Sequence, residues 1–371
     1  APGLVTVTDT DTETWAPEGP EHEEQPARGR VAAPRLARHV VRLDDGHRVQ
    51  LAVAGRGVPL VVVHGFSAEG LLYAQTLSRL VSAGFKVVAI DTAGHGGTAG
   101  LAEGGATMER YGELLGRTVD HLGIKRAVFG GHSMGGRVVV ELLGREPKRA
   151  IAAMLIDAIV GDAWDRRVSW SRFAPGIMGC VGAGLVVDTV STVPVLRNPA
   201  QAIKLGRLWA PNLTHNLLRP AGLIGAGMSI MRSGPSRWLL DAMADNLVPT
   251  YVVHGDRDYP VPVRTAVDAA RRTRGELILV HGASHSWLLR DPETMPAIVA
   301  ELLDGSLGDV IRLALAVEGA PIGVDDTIDE IERCLYEPGA LVHELTPPLE
   351  FHATEVRRRA PAYTWTASHP R

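Results

Sequence analysis

The sequence predicts an α/β protein whose mostly parallel β-sheet is flanked by helices. Short, nearly continuous apolar runs recur along the chain, as expected of strands buried on both faces of a sheet. Segments in which apolar residues recur at helical spacing lie between these runs. Strands that alternate with helices in this way form parallel sheets with crossover connections. With 371 residues and 45% hydrophobic content, the chain can bury a sizeable core.

The first half of the sheet is expected within residues 35–157. A hairpin opens it, since RHVVRL and RVQLAVAG flank DDGH, whose Asp-Gly pair is a hairpin signal. An amphipathic helix is predicted over 108–122, where Tyr111, Leu115 and Val119 fall on one face. Four further strands are predicted in PLVVVHG (59–65), FKVVAID (85–91), RAVFGG (126–131) and IAAMLIDA (151–158).

The alternation stops after the sixth predicted strand and resumes about ninety residues later. Residues 158–248 are rich in Trp, Met, Leu, Ile and Val, which predicts a helical cap inserted over the edge of the sheet; ordinary core helices are the alternative. The second half of the sheet is expected in 249–305, with strands PTYVVHG (249–255) and ELILVHG (276–282) and helices near 263–272 and 292–304.

Both ends of the chain lie outside this pattern. Residues 1–34 are acidic, contain proline and lack apolar periodicity, so we expect them to be disordered or loosely draped over the domain. The extension 306–371 has no assigned role; it contains two possible helices, GDVIRLALAVEG and DDTIDEIERCL, and an irregular proline-containing end. Ile328, Ile331 and Leu335 have helical spacing and would pack on this domain or on a partner.

Composition excludes several classes of function. The formal net charge of −4 gives no electrostatic reason to expect nucleic acid as a partner. Cys180 and Cys334 form neither a disulfide framework nor a metal cluster, and no cofactor motif is found. No stretch is long and apolar enough to span a membrane, and no basic and apolar leader is seen, since the first basic residue is Arg28. We therefore expect a cytoplasmic protein that acts on a small molecule, without metal or cofactor, in an unknown oligomeric state.

The segment GGHSMGG, residues 130–136, indicates a nucleophile. It follows an apolar strand and begins a helical pattern, the setting of a nucleophile elbow. Such a turn is strained and brings strand and helix close together, so only very small residues fit two places before and after the nucleophile. Gly131 and Gly135 meet that requirement around Ser133.

A serine needs a base to take its proton and an acid to orient that base. His285 lies on the loop past the last predicted core strand and is the expected base, whereas His281 would end that strand. Asp258 is the expected acid because it lies further out on its loop than Asp256, to which we assign a structural role. Asp157, after the preceding strand, is the main competitor of Asp258.

An oxyanion needs N–H donors aimed at it. His64-Gly65-Phe66 follows the third predicted strand, and the backbone N–H groups of Phe66 and Met134 are the expected donors. Met134 also begins a helix, whose dipole favours negative charge there.

These motifs together resemble the α/β-hydrolase superfamily over residues 38–304. The resemblance rests on His64-Gly65-Phe66, DTAGHG (91–96), GHSMGG (131–136), GDRD (255–258) and His285 in that order. It implies that the second aspartate of GDRD supplies the acid and that the DTAGHG loop is structural.

The leading hypothesis is a serine hydrolase that cleaves an ester through an acyl-enzyme. The apolar insertion suggests a lipophilic acyl or alcohol group. Carbon-carbon bond hydrolase, amidase, thioesterase and acyltransferase activities use the same residues and stay open, and a non-catalytic binding protein is a further alternative. Serine at 133 argues against epoxide hydrolases and haloalkane dehalogenases, which need a carboxylate nucleophile.

Overall fold

The computed structural model describes residues 30–33, 35–66, 73–101, 106–171, 173–174, 176–191, 220–320, 327–348, 354–357 and 359–370. Its strands are β1 (Arg30–Ala33), β2 (Ala37–Arg42), β3 (Arg48–Ala54), β4 (Val58–Val63), β5 (Phe85–Ile90), β6 (Ala127–His132), β7 (Ala150–Ile156), β8 (Thr250–Gly255), β9 (Glu276–Val280), β10 (Thr354–Arg357) and β11 (Trp365–Ser368).

The α-helices alternate with the core strands. They are α1 (Ala74–Val81), α2 (Met108–His121), α3 (Met134–Arg145), α4 (Asp162–Ser171), α5 (Gly176–Ser191), α6 (Pro220–Arg232), α7 (Arg237–Asp245), α8 (Val263–Thr273), α9 (Trp287–Arg290), α10 (Thr294–Leu303), α11 (Ser306–Val317), α12 (Ile328–Leu335) and α13 (Leu341–Leu345). A short 3-10 helix at Pro147–Arg149 precedes β7.

Nine strands form one sheet in the order β11-β9-β8-β7-β6-β4-β5-β3-β2. Strands β4 to β9 are parallel to one another, while β2, β3 and β11 pair antiparallel at the two sides. The α/β class with a mostly parallel sheet is confirmed. Strands β5, β6 and β7 are buried along their whole length, which explains their continuous apolar sequences.

The order of the sheet reverses at β4, which lies between β5 and β6. Parallel α/β sheets bind ligands beyond the carboxyl ends of the strands at such a reversal. Phe66 and Ser133 follow β4 and β6 at this position.

Helices α4 to α7 separate β7 from β8 and occupy the segment predicted as a cap, although 192–219 lie outside the described residues. The glycines of α6 face core loops: a Cβ added at Gly222 would lie 2.0 Å from the Gly94 carbonyl oxygen. Of the aromatic residues in this segment, Trp164 is buried and Trp170 is 68% exposed.

Two expectations for the chain ends are wrong. Arg30–Ala33 form a strand that pairs with β10, so disorder does not extend to residue 34; residues 1–29 lie outside the described part. The C-terminal end is not irregular throughout, because β11 extends the main sheet beside β9. Helix α12 contacts its own domain: Leu335 is fully buried, whereas Ile328 is 48% exposed.

Candidate active site

Ser133 occupies a strained turn between β6 and α3. Its backbone has φ 54° and ψ −116°, values that residues with a side chain rarely adopt. A Cβ added at Gly131 would lie 2.5 Å from Gly135, and one added at Gly135 would lie 2.2 Å from the Val63 carbonyl oxygen. The two glycines are therefore required by the close approach of strand and helix, as the sequence predicted.

His285 and Asp258 form a buried hydrogen-bonded pair. His285 Nδ1 lies 2.6 Å from Asp258 Oδ2, and both residues are at most 5% exposed. The other carboxylate oxygen of Asp258 accepts the Val261 backbone N–H at 2.7 Å, which fixes its orientation. The structure thus brings together two residues that are 27 positions apart in sequence.

The surroundings of His285 favour its charged form. Burial alone would lower the pKa of His285, but the charge of Asp258 and its hydrogen bond outweigh burial. Asp157 and Asp188 add to the effect, and the pKa rises to about 9. An imidazolium formed here is stabilised by nearby negative charge.

Asp157, the competing acid, has other partners. It accepts the Gly255 backbone N–H at 2.9 Å and the Trp287 indole N–H at 2.8 Å. Burial and the charge of Asp258 raise the pKa of Asp157. Its backbone φ of 45° shows a second tight turn at the carboxyl end of the sheet.

Asp256 and His281 lie close to each other, with side chains 34% and 40% exposed. The Asp256 carboxylate accepts the Gly282 backbone N–H at 2.7 Å and lies 3.2 Å from His281 Nδ1. Strand β9 ends at Val280, directly before His281.

The loop after β4 is held beside Ser133. His64 Nδ1–H donates to the Gly65 carbonyl oxygen, and Nε2 accepts the Thr92 backbone N–H at 2.9 Å. Burial lowers the pKa of His64 to about 4, so the ring is neutral and keeps this tautomer. A Cβ added at Gly65 would lie 3.3 Å from Ser133 Cβ, which places the peptide before Phe66 next to the nucleophile.

Sequence reasoning missed a histidine inside the elbow motif itself. His132 Nε2 lies 3.1 Å from the His285 carbonyl oxygen, and Nδ1 lies 2.9 Å from the Tyr73 hydroxyl. Burial is the main reason that the pKa of His132 falls to about 3. The neutral ring therefore donates to His285 through Nε2 and accepts from Tyr73. Tyr73 carries no motif that could have revealed this role.

One group of described residues has donor atoms close enough to hold a metal ion. The group comprises Asp157, His254 and Asp258, whose atoms lie within 4.8 Å of one another. His254 Nε2 already donates to the Val261 carbonyl oxygen, and Asp258 binds His285. A metal would therefore compete with the contacts that orient His285.

Comparison with known proteins identifies the family. The sequence model of the family described as serine aminopeptidase, S33, matches residues 58–293, more than half of the chain. The chain belongs to this α/β-hydrolase family. The match covers every motif on which the resemblance rests.

Two relatives illustrate the range of names in the family. This chain is 33% identical over 276 residues to a protein of Mycobacterium phage D29 that is named after the non-heme haloperoxidases. The match spans 72% of this chain and 96% of that protein. It is 29% identical over 246 residues to a monoacylglycerol lipase of Mycolicibacterium smegmatis, over 64% of this chain and 84% of the relative.

Solved structures share the fold. The esterase RhEst1 from Rhodococcus sp. ECU1013 is similar with a TM-score of 0.56 and 21% identity, over 72% of this chain and 98% of that one. A bacterial membrane phospholipase A is similar with a TM-score of 0.59 and 19% identity, over 73% of this chain and 86% of that one. Within the described residues, none of the helices is long and apolar enough to cross a membrane.

Proposed function

We propose that this hydrolase cleaves carboxylic esters through an acyl-enzyme formed on Ser133. The observation that carries the proposal is the 2.6 Å contact between His285 Nδ1 and Asp258. The His285 ring lies 4.9 Å from the ring of His132, the residue before Ser133, which is held in a strained elbow. Since Nδ1 is engaged by Asp258, Nε2 is the ring nitrogen that would take the proton from Ser133. A small-molecule substrate is consistent with the family.

In the first half-reaction, Ser133 Oγ bonds to the acyl carbon and its proton passes to His285 Nε2. The electron pair of the carbonyl moves to oxygen, where the backbone N–H groups of Phe66 and Met134 would receive it. Collapse of this intermediate breaks the ester bond, and the leaving alcohol takes the proton from His285. Asp258 holds the tautomer and stabilises the imidazolium.

In the second half-reaction, water replaces the alcohol. His285 takes a proton from water, the new hydroxyl bonds to the acyl carbon, and Ser133 Oγ leaves with the proton. The products are a carboxylic acid and the free enzyme.

The position of the insertion supports the proposal that the substrate carries a lipophilic group. A Cβ added at Gly227 of α6 would lie 3.9 Å from the Phe66 ring, and one added at Gly184 of α5 would lie 3.7 Å from Pro260. Both helices therefore lie over the loops that carry the proposed oxyanion donor and acid. The name of the monoacylglycerol lipase relative agrees with such a substrate.

The test is hydrolysis of p-nitrophenyl esters of increasing acyl length by the wild type and Ser133→Ala. We expect kcat/KM to fall by at least about 10⁴-fold in the variant. Ser82→Ala, which changes an exposed serine of the same fold, should match the wild type. Mass spectrometry after a fluorophosphonate should find the adduct on Ser133. Full activity of Ser133→Ala would refute the acyl-enzyme.

The name of the phage relative supports a second candidate, haloperoxidase activity. A carboxylic acid such as acetic acid would acylate Ser133 with loss of water, and hydrogen peroxide would attack this acyl-enzyme, forming a peracid and releasing Ser133. The peracid would then oxidise halide to hypohalous acid and return to the carboxylate. Bromination of a dye in acetate, peroxide and bromide tests this candidate. The reaction should disappear in Ser133→Ala, and bromination by that variant would exclude the route.

A further inference from the structure

A buried carboxylate of the helical insertion reaches the loop that carries His285. Asp188 lies in α5 and is 8% exposed, although the helix around it is largely apolar. Its Oδ2 accepts the Ser286 backbone N–H at 2.8 Å. Ser286 directly follows His285 and precedes α9, so the contact fixes the backbone beside the proposed base.

The buried position of Asp188 carries a desolvation cost for its carboxylate. A carboxylate taken from water must be compensated by hydrogen bonds or by positive charge. An exposed position on the same helix, such as that of Val187 at 69% exposure, would have carried the charge without this cost. The Asp188 carboxylate instead points inward, toward the His285 loop.

Several groups surround His285 from different elements. Asp258 follows β8 and Asp157 follows β7, while His254 lies in β8 and His132 in β6. The two carboxylates raise the pKa of His285, and the neutral histidines bring no negative charge. Among the described residues of the insertion, Asp188 reaches this group.

The charge of Asp188 also acts on Tyr363. This charge and that of Asp291 act to raise the pKa of Tyr363, where burial is the largest cause, while Arg290 acts in the opposite direction. Arg290 ends α9, the helix that Ser286 begins. The hydrogen bond of Asp188 is with the His285 loop, at the start of α9.

We propose that Asp188 is a positioning residue that couples the seated insertion to the base. This inference rests on the proposed function of His285. With α5 in place, Asp188 holds the Ser286 peptide and adds negative charge beside the imidazole. Displacement of α5 removes both effects at once, so His285 is fully stabilised as an imidazolium only under the seated insertion.

The direct test is an NMR titration of the His285 ring, because it does not depend on turnover. The signal is assigned by its loss in His285→Gln. In Asp188→Asn the amide oxygen can still accept the Ser286 N–H, while the charge is gone. We expect the pKa of His285 to fall by about half a unit or more in this variant.

Asp165→Asn is the matched control. Asp165 lies in α4 of the same insertion, and its carboxylate also accepts a backbone N–H, that of Ser236 at 2.7 Å. Asp165 also lies 3.7 Å from Arg137 of α3. Since it does not contact the His285 loop, its removal should leave the pKa of His285 unchanged. A shift of equal size in both variants would mean that the insertion is merely loosened.

Kinetics separate the two roles of Asp188. Asp188→Ala loses the hydrogen bond as well as the charge, so kcat should fall further than in Asp188→Asn, by about tenfold. An unchanged pKa of His285 in Asp188→Asn overturns the inference. Activity that survives in Ser133→Ala overturns the proposed function instead, and the two failures are thus distinguishable.

Discussion

Two clusters of ionisable side chains lie at opposite ends of the sheet, and their charges are arranged differently. At the carboxyl ends of the strands, Asp157 and Asp258 crowd around His254 and His285, and the charge of Asp258 raises the pKa of Asp157. We name this set the triad-end cluster. It gathers more carboxylates than permanent positive charges, which is unfavourable for stability alone.

The opposite cluster, Arg56, Lys86, Glu332 and His343, lies near the amino ends of β4 and β5. Lys86 Nζ lies 3.1 Å from Glu332 and 2.6 Å from His343 Nδ1. Arg56 lies 2.8 Å from the other Glu332 oxygen. Burial would raise the pKa of Glu332, yet the hydrogen bonds from Arg56 and Lys86 lower it.

The difference between the two clusters indicates a different role for each. In the opposite cluster each charge faces its counter-charge, and the contacts attach α12 to the strands. The triad-end cluster keeps like charges together around His285, the proposed proton acceptor, an arrangement that is common at sites of proton transfer. Substitutions at the two ends should therefore affect different measurements.

The largest effect is expected from Asp258→Asn, which breaks the triad-end cluster. His285 would lose the partner that holds its tautomer, and kcat should fall by roughly 10³ to 10⁴-fold with little change in Tm. Esterase kinetics and a melting curve measure both.

Asp256→Asn is the control for that change, because Asp256 lies on the same loop at the rim and contacts His281. It should keep near wild-type activity. If Asp157→Asn abolished turnover while Asp258→Asn did not, Asp157 would be the acid.

The pH dependence of kcat/KM in the wild type is expected to reflect the excess of carboxylates around His285. Only neutral imidazole accepts the serine proton, and the pKa of His285 is raised to about 9. The value of kcat/KM should therefore increase with pH, by about tenfold per unit below that pKa. A midpoint near the ordinary value for histidine would show that the carboxylates do not stabilise the imidazolium in the free enzyme.

Glu332→Gln should break the opposite cluster, with an effect on stability and not on chemistry. Lys86, which is 1% exposed, would lose its counter-charge, at a cost of about 3 kcal/mol in the free energy of unfolding. Urea denaturation measures it.

Asp329→Asn gives the matched comparison, since Asp329 binds Arg56 at 2.6 Å with 83% of its side chain exposed. An exposed pair of this kind contributes about 0.5 kcal/mol or less. Loss of esterase activity in folded Glu332→Gln would contradict the division of roles.

A smaller effect than that of Glu332→Gln is expected at Gly222, where α6 lies against Gly94. The added methyl group of Gly222→Ala would collide with the Gly94 carbonyl oxygen, so α6 must shift, at a cost of about 1–2 kcal/mol. Gly225→Ala, in the same helix, would place its methyl group 3.8 Å from Ala106 and should be neutral or stabilising. Equal melting temperatures for the two variants would show that α6 can move away from Gly94 without loss of stability.

The sequence indicated the parts of the candidate site that local rules determine. The glycines around Ser133 follow from the tight turn, and His285 and Asp258 follow from their places after strands. The fully apolar strands likewise predicted a sheet buried on both faces.

Other parts depend on contacts between distant segments. Nothing near Asp188 or Tyr73 indicates a partner, because Ser286 and His132 are brought to them only by the folded sheet. Strand β11 was missed because its sequence, WTAS, is short and follows a proline-containing loop; it forms only when β9 offers an edge.

Strand β11 also has a practical consequence for handling the protein. It covers the edge of β9, and the His281 N–H donates to the Thr364 carbonyl oxygen at the start of this pairing. Truncation after residue 305 would uncover an apolar strand edge, which is a template for intermolecular pairing and aggregation. A purification tag is therefore better fused ahead of β1 than directly behind β11, where it would crowd the strand that protects this edge.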